Sequence, residues 1–262
     1  MIEFLIYPLI GIVSGFMAGF FGVGGGLVIV PCLHLMYKTL GYSDEISIPI
    51  SVGTALACII VNSLSAVSVH QKNNSISWEI FWKLFFGISI GTILGTYILV
   101  EIDKELFKNI FAGFMFLISM RLFFNIKDRE NSKGLATYIT VPVGGGVGML
   151  SAAFGIGGGI FIGPFLRLMG ETMKKSVGTA VICTFPISLI GSTSYVFLGW
   201  EQKGLPDYSL GYLNILSFLG IVIFSSFASR FGAQMVQKVN EKVFQTLYAL
   251  QLVPVFLYWF FA

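Results

Sequence analysis

Residues 21–27 read Phe-Gly-Val-Gly-Gly-Gly-Leu, and residues 154–160 read Phe-Gly-Ile-Gly-Gly-Gly-Ile. Each run interrupts sequence that is otherwise apolar. From Phe4 to Tyr37 there is no Lys, Arg, Asp or Glu, and a membrane-spanning helix needs only about 20 apolar residues. The glycines therefore fall at membrane depth, where irregular backbone must find hydrogen-bond partners or line a cavity. The fold follows from that placement: helices that cross a bilayer, with two of them broken.

The rest of the chain agrees. Hydrophobic types make up 55% of the 262 residues, charged types 11%, and mean hydropathy is +0.85. Soluble domains are about 25% charged, which argues against a soluble enzyme or a nucleic-acid binder and makes the lipid bilayer the medium. Polar or glycine-only breaks leave ten hydrophobic segments: 4–21, 27–37, 46–69, 78–100, 106–125, 135–153, 160–169, 176–199, 209–229 and 243–261. At about 1.5 Å per residue, 27–37 and 160–169 are too short to span. They read as half-helices or re-entrant pieces. The acidic start Met1-Ile2-Glu3 is unlike a secretory signal, so the first helix is expected to be retained. Cys32, Cys58 and Cys183 form no C-x-x-C pair.

The chain also repeats itself. The glycine runs are 133 residues apart, as are Pro31 and Pro164, and Gly15 and Gly148. Ser51-Val52-Gly53-Thr54-Ala55 returns 125 residues later as Ser176-Val177-Gly178-Thr179-Ala180. The chain reads as one polytopic domain, 1–262: a first repeat of about 1–125, a cytoplasmic linker at 126–134, and a second repeat of about 135–262. Five segments per half would invert the second copy. With the N-terminus outside and all ten segments crossing, nine Lys/Arg fall in cytoplasmic loops and four in external ones. The positive-inside rule then places both termini outside the cell membrane. If the short segments re-enter instead, eight spans remain. Inverted repeats with discontinuous helices are a transporter architecture, with the site at the midplane.

Residues after each break enter a helix, so free N–H groups and the positive end of a dipole point into the gap. That arrangement binds anions without a charged side chain. Gly24, Gly25 and Gly26, with Gly157, Gly158 and Gly159, are the candidate anion site. The alternative is that they only permit close packing, as expected of Gly11, Gly15 and Gly19 and of Gly91 and Gly95. Ser51, Thr54, Ser176 and Thr179 are candidate donors to a bound oxyanion. They could equally cap helices or bond across to neighbours.

The two glycine stretches, Phe21–Leu33 and Phe154–Leu166, with the paired SVGTA blocks, resemble the TauE/SafE (TSUP, sulfite exporter) family along essentially the whole chain. The resemblance implies transport, with export, of a small sulfur-containing anion such as sulfite or an organosulfonate. His34 and Arg167 occupy equivalent positions three residues beyond each half-helix proline. Arginine suits a sulfonate edge and histidine titrates near neutrality, so the pair is expected to flank the anion route. The bland alternative is that both snorkel to water.

Other polar residues read as structural. Asn62 is a candidate bridge between helices. Glu79 and Lys83, with Trp78, Trp82, Trp200, Tyr208, Tyr212 and Trp259, fit interfacial anchors. No acidic residue sits mid-helix, so no carboxylate proton relay is visible. A proton coupled through His34 stays open, as does a homodimer. No cluster suggests a metal, an organic cofactor or a catalytic nucleophile. An uptake carrier or channel for another small anion, and a non-transporting assembly protein, are the competing readings.

Overall fold

The computed structural model describes residues 2–123 and 137–261, and the side chains of 6–114, 116 and 139–258. Ten helices follow the ten apolar segments: α1 Ile2–Phe21, α2 Gly26–Thr39, α3 Asp44–Lys72, α4 Trp78–Glu101, α5 Lys104–Phe123, α6 Thr137–Phe154, α7 Gly159–Leu168, α8 Met173–Leu198, α9 Ile215–Val236 and α10 Glu241–Phe261. Counting described residues only, four of them (α3, α4, α8 and α9) are long and apolar enough to cross a membrane. With 14 and 10 residues, α2 and α7 extend about 21 and 15 Å, well short of a hydrocarbon core of about 30 Å. The protein is an all-α membrane protein.

Two corrections fall near the ninth segment. It does not start at 209. Ser209–Leu210 pairs antiparallel with Leu213–Asn214 in a small hairpin, and the helix begins at Ile215. Gly211 turns the hairpin at φ +56°, and its missing Cβ lets the turn press on the Val196 carbonyl. The helix also continues through Arg230 to Val236, since an arginine near a helix end can carry its charge to water. The linker at 126–134 lies outside the described residues.

Glycines set which helices touch. A Cβ on Gly11, Gly15 or Gly19 of α1 would strike the carbonyls of Ile221, Ser225 and Ser229 on α9. Gly87, Gly91 and Gly95 of α4 meet Val141, Gly145 and Met149 of α6 in the same way. The four-residue steps advance together, so each pair runs parallel with its backbones in contact. This is the small-residue packing that membranes favour. The other large contacts are α3 against α8, α9 and α2, with α8 also against α4 and α7, and α5 against α10. These large contacts map onto themselves when α1–α5 are exchanged with α6–α10, whereas α2 touches α1 and α10 more than α7 touches α6 and α5.

Side-chain bonds order the helix ends. At a first end, Ser217 of α9 bonds Tyr7 of α1 (3.1 Å) and Tyr37 of α2 (2.9 Å). Lys108 of α5 reaches Asp44 of α3 at 2.5 Å. At the second end, Gln237 after α9 reaches His70 and Ser75, both at 3.4 Å. Consequently α1 leaves the first end, α2 returns to it, and direction alternates from there to α10. The Lys104 ammonium closes the end of α4, donating to the carbonyls of Leu99, Val100 and Ile102 at 2.8–2.9 Å. A cation on the last carbonyls suits the negative end of the dipole.

Candidate functional site

The two glycine breaks are brought into direct contact. A Cβ on Gly26 would lie 1.8 Å from the Gly155 carbonyl oxygen, and one on Gly159 would lie 1.7 Å from that of Gly22. Each half-helix therefore starts against the backbone of the other break. Gly24, Gly25, Gly157 and Gly158 all have φ between +65° and +90°, the left-handed region that glycine enters at no steric cost. The packing reading thus accounts for part of the motif.

It leaves the start of each helix open. Gly25 and Gly158 accept the first intrahelical bonds, from Val28 and Ile29 and from Phe161 and Ile162. Among the described residues no acceptor meets the N–H groups of Gly26 and Leu27, or of Gly159 and Ile160, although all four residues are buried. The first N–H groups of a helix need some partner. The depth is central: Ile59, halfway along α3, lies against both Gly24 and Gly157, and Thr184, near the middle of α8, lies against Gly157. Asn62 is the bridge that its sequence suggests. Its Nδ2 donates to the Gly24 carbonyl (3.5 Å), while Ser225 and Ser229 of α9 donate to its Oδ1 and backbone oxygen.

The SVGTA blocks back the breaks and hold the ends of other helices. Val52 lies against Gly155 and Val177 against Gly22, so each block supports the break of the other half. Thr54 Oγ1 accepts the Asn214 N–H (2.9 Å), and Thr179 Oγ1 accepts the Ser77 N–H (2.9 Å). Asn214 and Ser77 are the N-cap residues of α9 and α4. Both threonines therefore bond across the halves. Ser51 donates to Ser47 O in its own helix (2.6 Å), whereas the buried Ser176 hydroxyl has no partner among the described residues.

His34 and Arg167 stand at opposite ends of the bundle. His34 is 0% exposed, so it does not snorkel. Its Nδ1 lies 2.7 Å from the Tyr258 hydroxyl and its Nε2 lies 3.2 Å from Asp44, which also holds Lys38 and Lys108. Arg167 pairs with Glu241 at the start of α10 and donates to Glu171 O. Tyr212 is not an interfacial residue: it is 4% exposed and its hydroxyl donates to Gln202. Burial, with the Glu45 charge adding to it, raises that phenol's pKa and keeps it a donor. Trp78, Trp82, Trp200 and Tyr208 are exposed, and Glu79 pairs with Lys83 at 2.6 Å. The Trp259 side chain lies outside the described ones.

Two polar side chains carry a signal that sequence reading missed. On α10, the Tyr248 hydroxyl and both polar atoms of Gln251 are buried without a hydrogen-bond partner among the described residues. From Leu247 to Phe261, Gln251 is the only residue that is neither aliphatic nor aromatic. A lone amide in so apolar a run is the sequence feature that could have found them.

An alternating helical bundle in which two half-helices start at mid-depth has the build of a membrane transporter. The chain belongs to the sulfite exporter TauE/SafE family, whose model matches residues 7–258. It is 32% identical over 252 residues to a "Probable membrane transporter protein" of Haemophilus influenzae, covering 96% of each chain. A protein of the same description from Methanocaldococcus jannaschii is 29% identical, covering 91% of this chain and 89% of its own. One from Bacillus subtilis is 26% identical over 271 residues, covering 96% of this chain and 95% of its own. No solved structure matches. The protein is a multi-pass membrane transporter of this family.

Proposed function

We propose that this transporter exports a small sulfur-containing anion, sulfite or an organosulfonate, held near the midplane at the two glycine breaks. One observation carries the reading: the buried N–H groups of Gly26, Leu27, Gly159 and Ile160 have no acceptor among the described residues. Donors without acceptors at the positive ends of two helices stabilise an anion, and more strongly in low dielectric than in water. The family's name supplies the sulfur chemistry. Of the four hydroxyl residues, Ser176 has one to spare, while Thr54 and Thr179 serve to hold the starts of α9 and α4. His34 and Arg167 flank the route from its two ends.

The halves are inverted repeats in this reading, supported by the opposite directions of α1 and α6 and by the exchange-symmetric contacts. Both termini face outside the cell membrane, with the end bearing Lys72, Lys174, Lys175, Arg230, Lys238 and Lys242 in the cytoplasm. The test is transport in proteoliposomes of defined orientation loaded with labelled sulfite, beside a thermal-shift screen of sulfite, thiosulfate, sulfonates, phosphate and carboxylates. Sulfite or a sulfonate should stabilise the protein and leave from the cytoplasmic face. If no anion on the panel binds or moves, the reading is wrong.

A further inference from the structure

Tyr248 and Gln251 are only 5% and 7% exposed, and an unpaired buried amide is costly. Their position explains what they face. Both α2 and α10 run toward the first end, and they are joined there by His34 and Tyr258 at 2.7 Å. Seven residues back along each helix, two turns and so on the same face, Leu27 comes level with Gln251. The Tyr248 ring also packs on Phe21, at the mouth of the break, with centroids 5.3 Å apart. Tyr248 and Gln251 thus lie on the stretch of α10 level with the first turn of α2, and their three polar atoms, like the first two N–H groups of α2, have no partner among the described residues.

The second half lacks this arrangement. Phe154 packs on Phe107 and Phe111 of α5 as Phe21 packs on Phe244 and Tyr248 of α10. Aligned on those contacts, Tyr248 corresponds to Phe111 and Gln251 to Phe114, which packs on Phe161 of α7. The first turn of α7 therefore has an aromatic ring beside it at the position where α10 carries Gln251.

We propose that Tyr248 and Gln251 complete a single anion subsite at the start of α2, so that the substrate is held off-centre, on the first-half break. This rests on the anion-transport reading above. The donors are the N–H groups of Gly26 and Leu27, the Gln251 amide and the Tyr248 hydroxyl. Gln251 Oε1 adds one acceptor, which fits an oxyanion bearing a proton, such as hydrogen sulfite, better than one bearing none, such as sulfate.

The test is Gln251→Leu in the full chain, purified in detergent and reconstituted. Without anion, this variant should melt at or above wild type, because an unpaired amide has been replaced by an apolar group of similar size. Its affinity for sulfite should fall about tenfold or more, as for a lost hydrogen bond to a charged group. Tyr248→Phe should weaken binding in the same direction. Gln251→Glu, which sets a carboxylate beside the anion, should abolish it, so these two carry the test if Gln251→Leu does not fold. Phe114→Leu should bind as wild type. Unchanged sulfite affinity in Gln251→Leu would show that the site holds water only and would overturn the inference while leaving transport intact. A lower melting temperature with affinity retained would assign Gln251 a structural partner and would overturn it equally. Equal stabilisation by sulfate and hydrogen sulfite would refute the acceptor role. A wild-type protein that responds to no anion would sink both this inference and its parent.

Discussion

Two glycines in the ten-residue helix α7 should respond to alanine with opposite signs. A Cβ on Gly159 would lie 1.7 Å from the Gly22 carbonyl oxygen, 2.5 Å from its carbon and 2.8 Å from the Val23 Cα. Ordinary van der Waals contact begins at 3.4 Å, so the two breaks would have to part by well over an ångström. Backbone stands on both sides, so no side-chain rotation relieves the clash. Overpacking a tight core costs about 1–3 kcal/mol, and a contact between two backbones belongs at the top of that range. Gly163, one turn further on, meets nothing within 4 Å. There alanine should stabilise by up to about 1 kcal/mol through helix propensity alone. The assay is thermal unfolding of the detergent-solubilised protein, with anion flux measured in parallel. Gly159→Ala should melt lower and lose flux, Gly26→Ala should behave like it, and Gly163→Ala should melt at or above wild type and keep flux. Gly159→Ala and Gly163→Ala melting together would show that the breaks do not touch.

Further outcomes follow from the bonds between the halves. Thr54→Val and Thr179→Val each strand a backbone N–H at a helix start and should each cost about 1–3 kcal/mol in unfolding experiments; a neutral result would break the cross-half cap. Lys104→Met leaves the carbonyls of Leu99, Val100 and Ile102 at the end of α4 without their ammonium and should destabilise comparably, with Lys104→Arg intermediate. Arg167→Ala should cost no more than about 1 kcal/mol, since its partner Glu241 is exposed; a large loss of flux at unchanged melting temperature would then speak for a role in the route. Maleimide should label the half-buried Cys32 in the folded protein and reach the buried Cys58 and Cys183 only after denaturation; labelling of those two that substrate blocks would instead place them in the site.

The helices were legible because apolar run length and glycine runs are local signals. Even the half-helices could be read from the spacing between Gly26 and Lys38 and between Gly159 and Gly170. The exchange between halves was not. Nothing near Thr54 announces that its hydroxyl will meet Asn214, and only the duplication itself hinted that Gly26 would face Gly155. The hairpin at 209–214 was hidden by apolar residues that suit a strand as well as a helix, a short run that periodicity cannot resolve. Lys104 looked like one more loop charge because its function, closing α4, depends on where the chain turns. Within the candidate site, the open helix starts were readable from glycine, but the contact that consumes part of the motif was not. Gln251 escapes a reading built on matched positions, because its counterpart in the other half is a phenylalanine.

The groove of Gly11, Gly15 and Gly19 has a bearing on how the protein is made. Its partner, α9, is finished only at Val236. At about 5–20 residues per second, roughly 10–40 s pass between the emergence of α1 and that of the surface it needs. During that interval a narrow, glycine-faced helix sits in lipid with its docking face bare. Substitutions such as Gly15→Leu should therefore act during biogenesis, lowering the amount of protein that survives membrane quality control. Expression level, more than the melting temperature of the surviving molecules, would be the sensitive readout of that face.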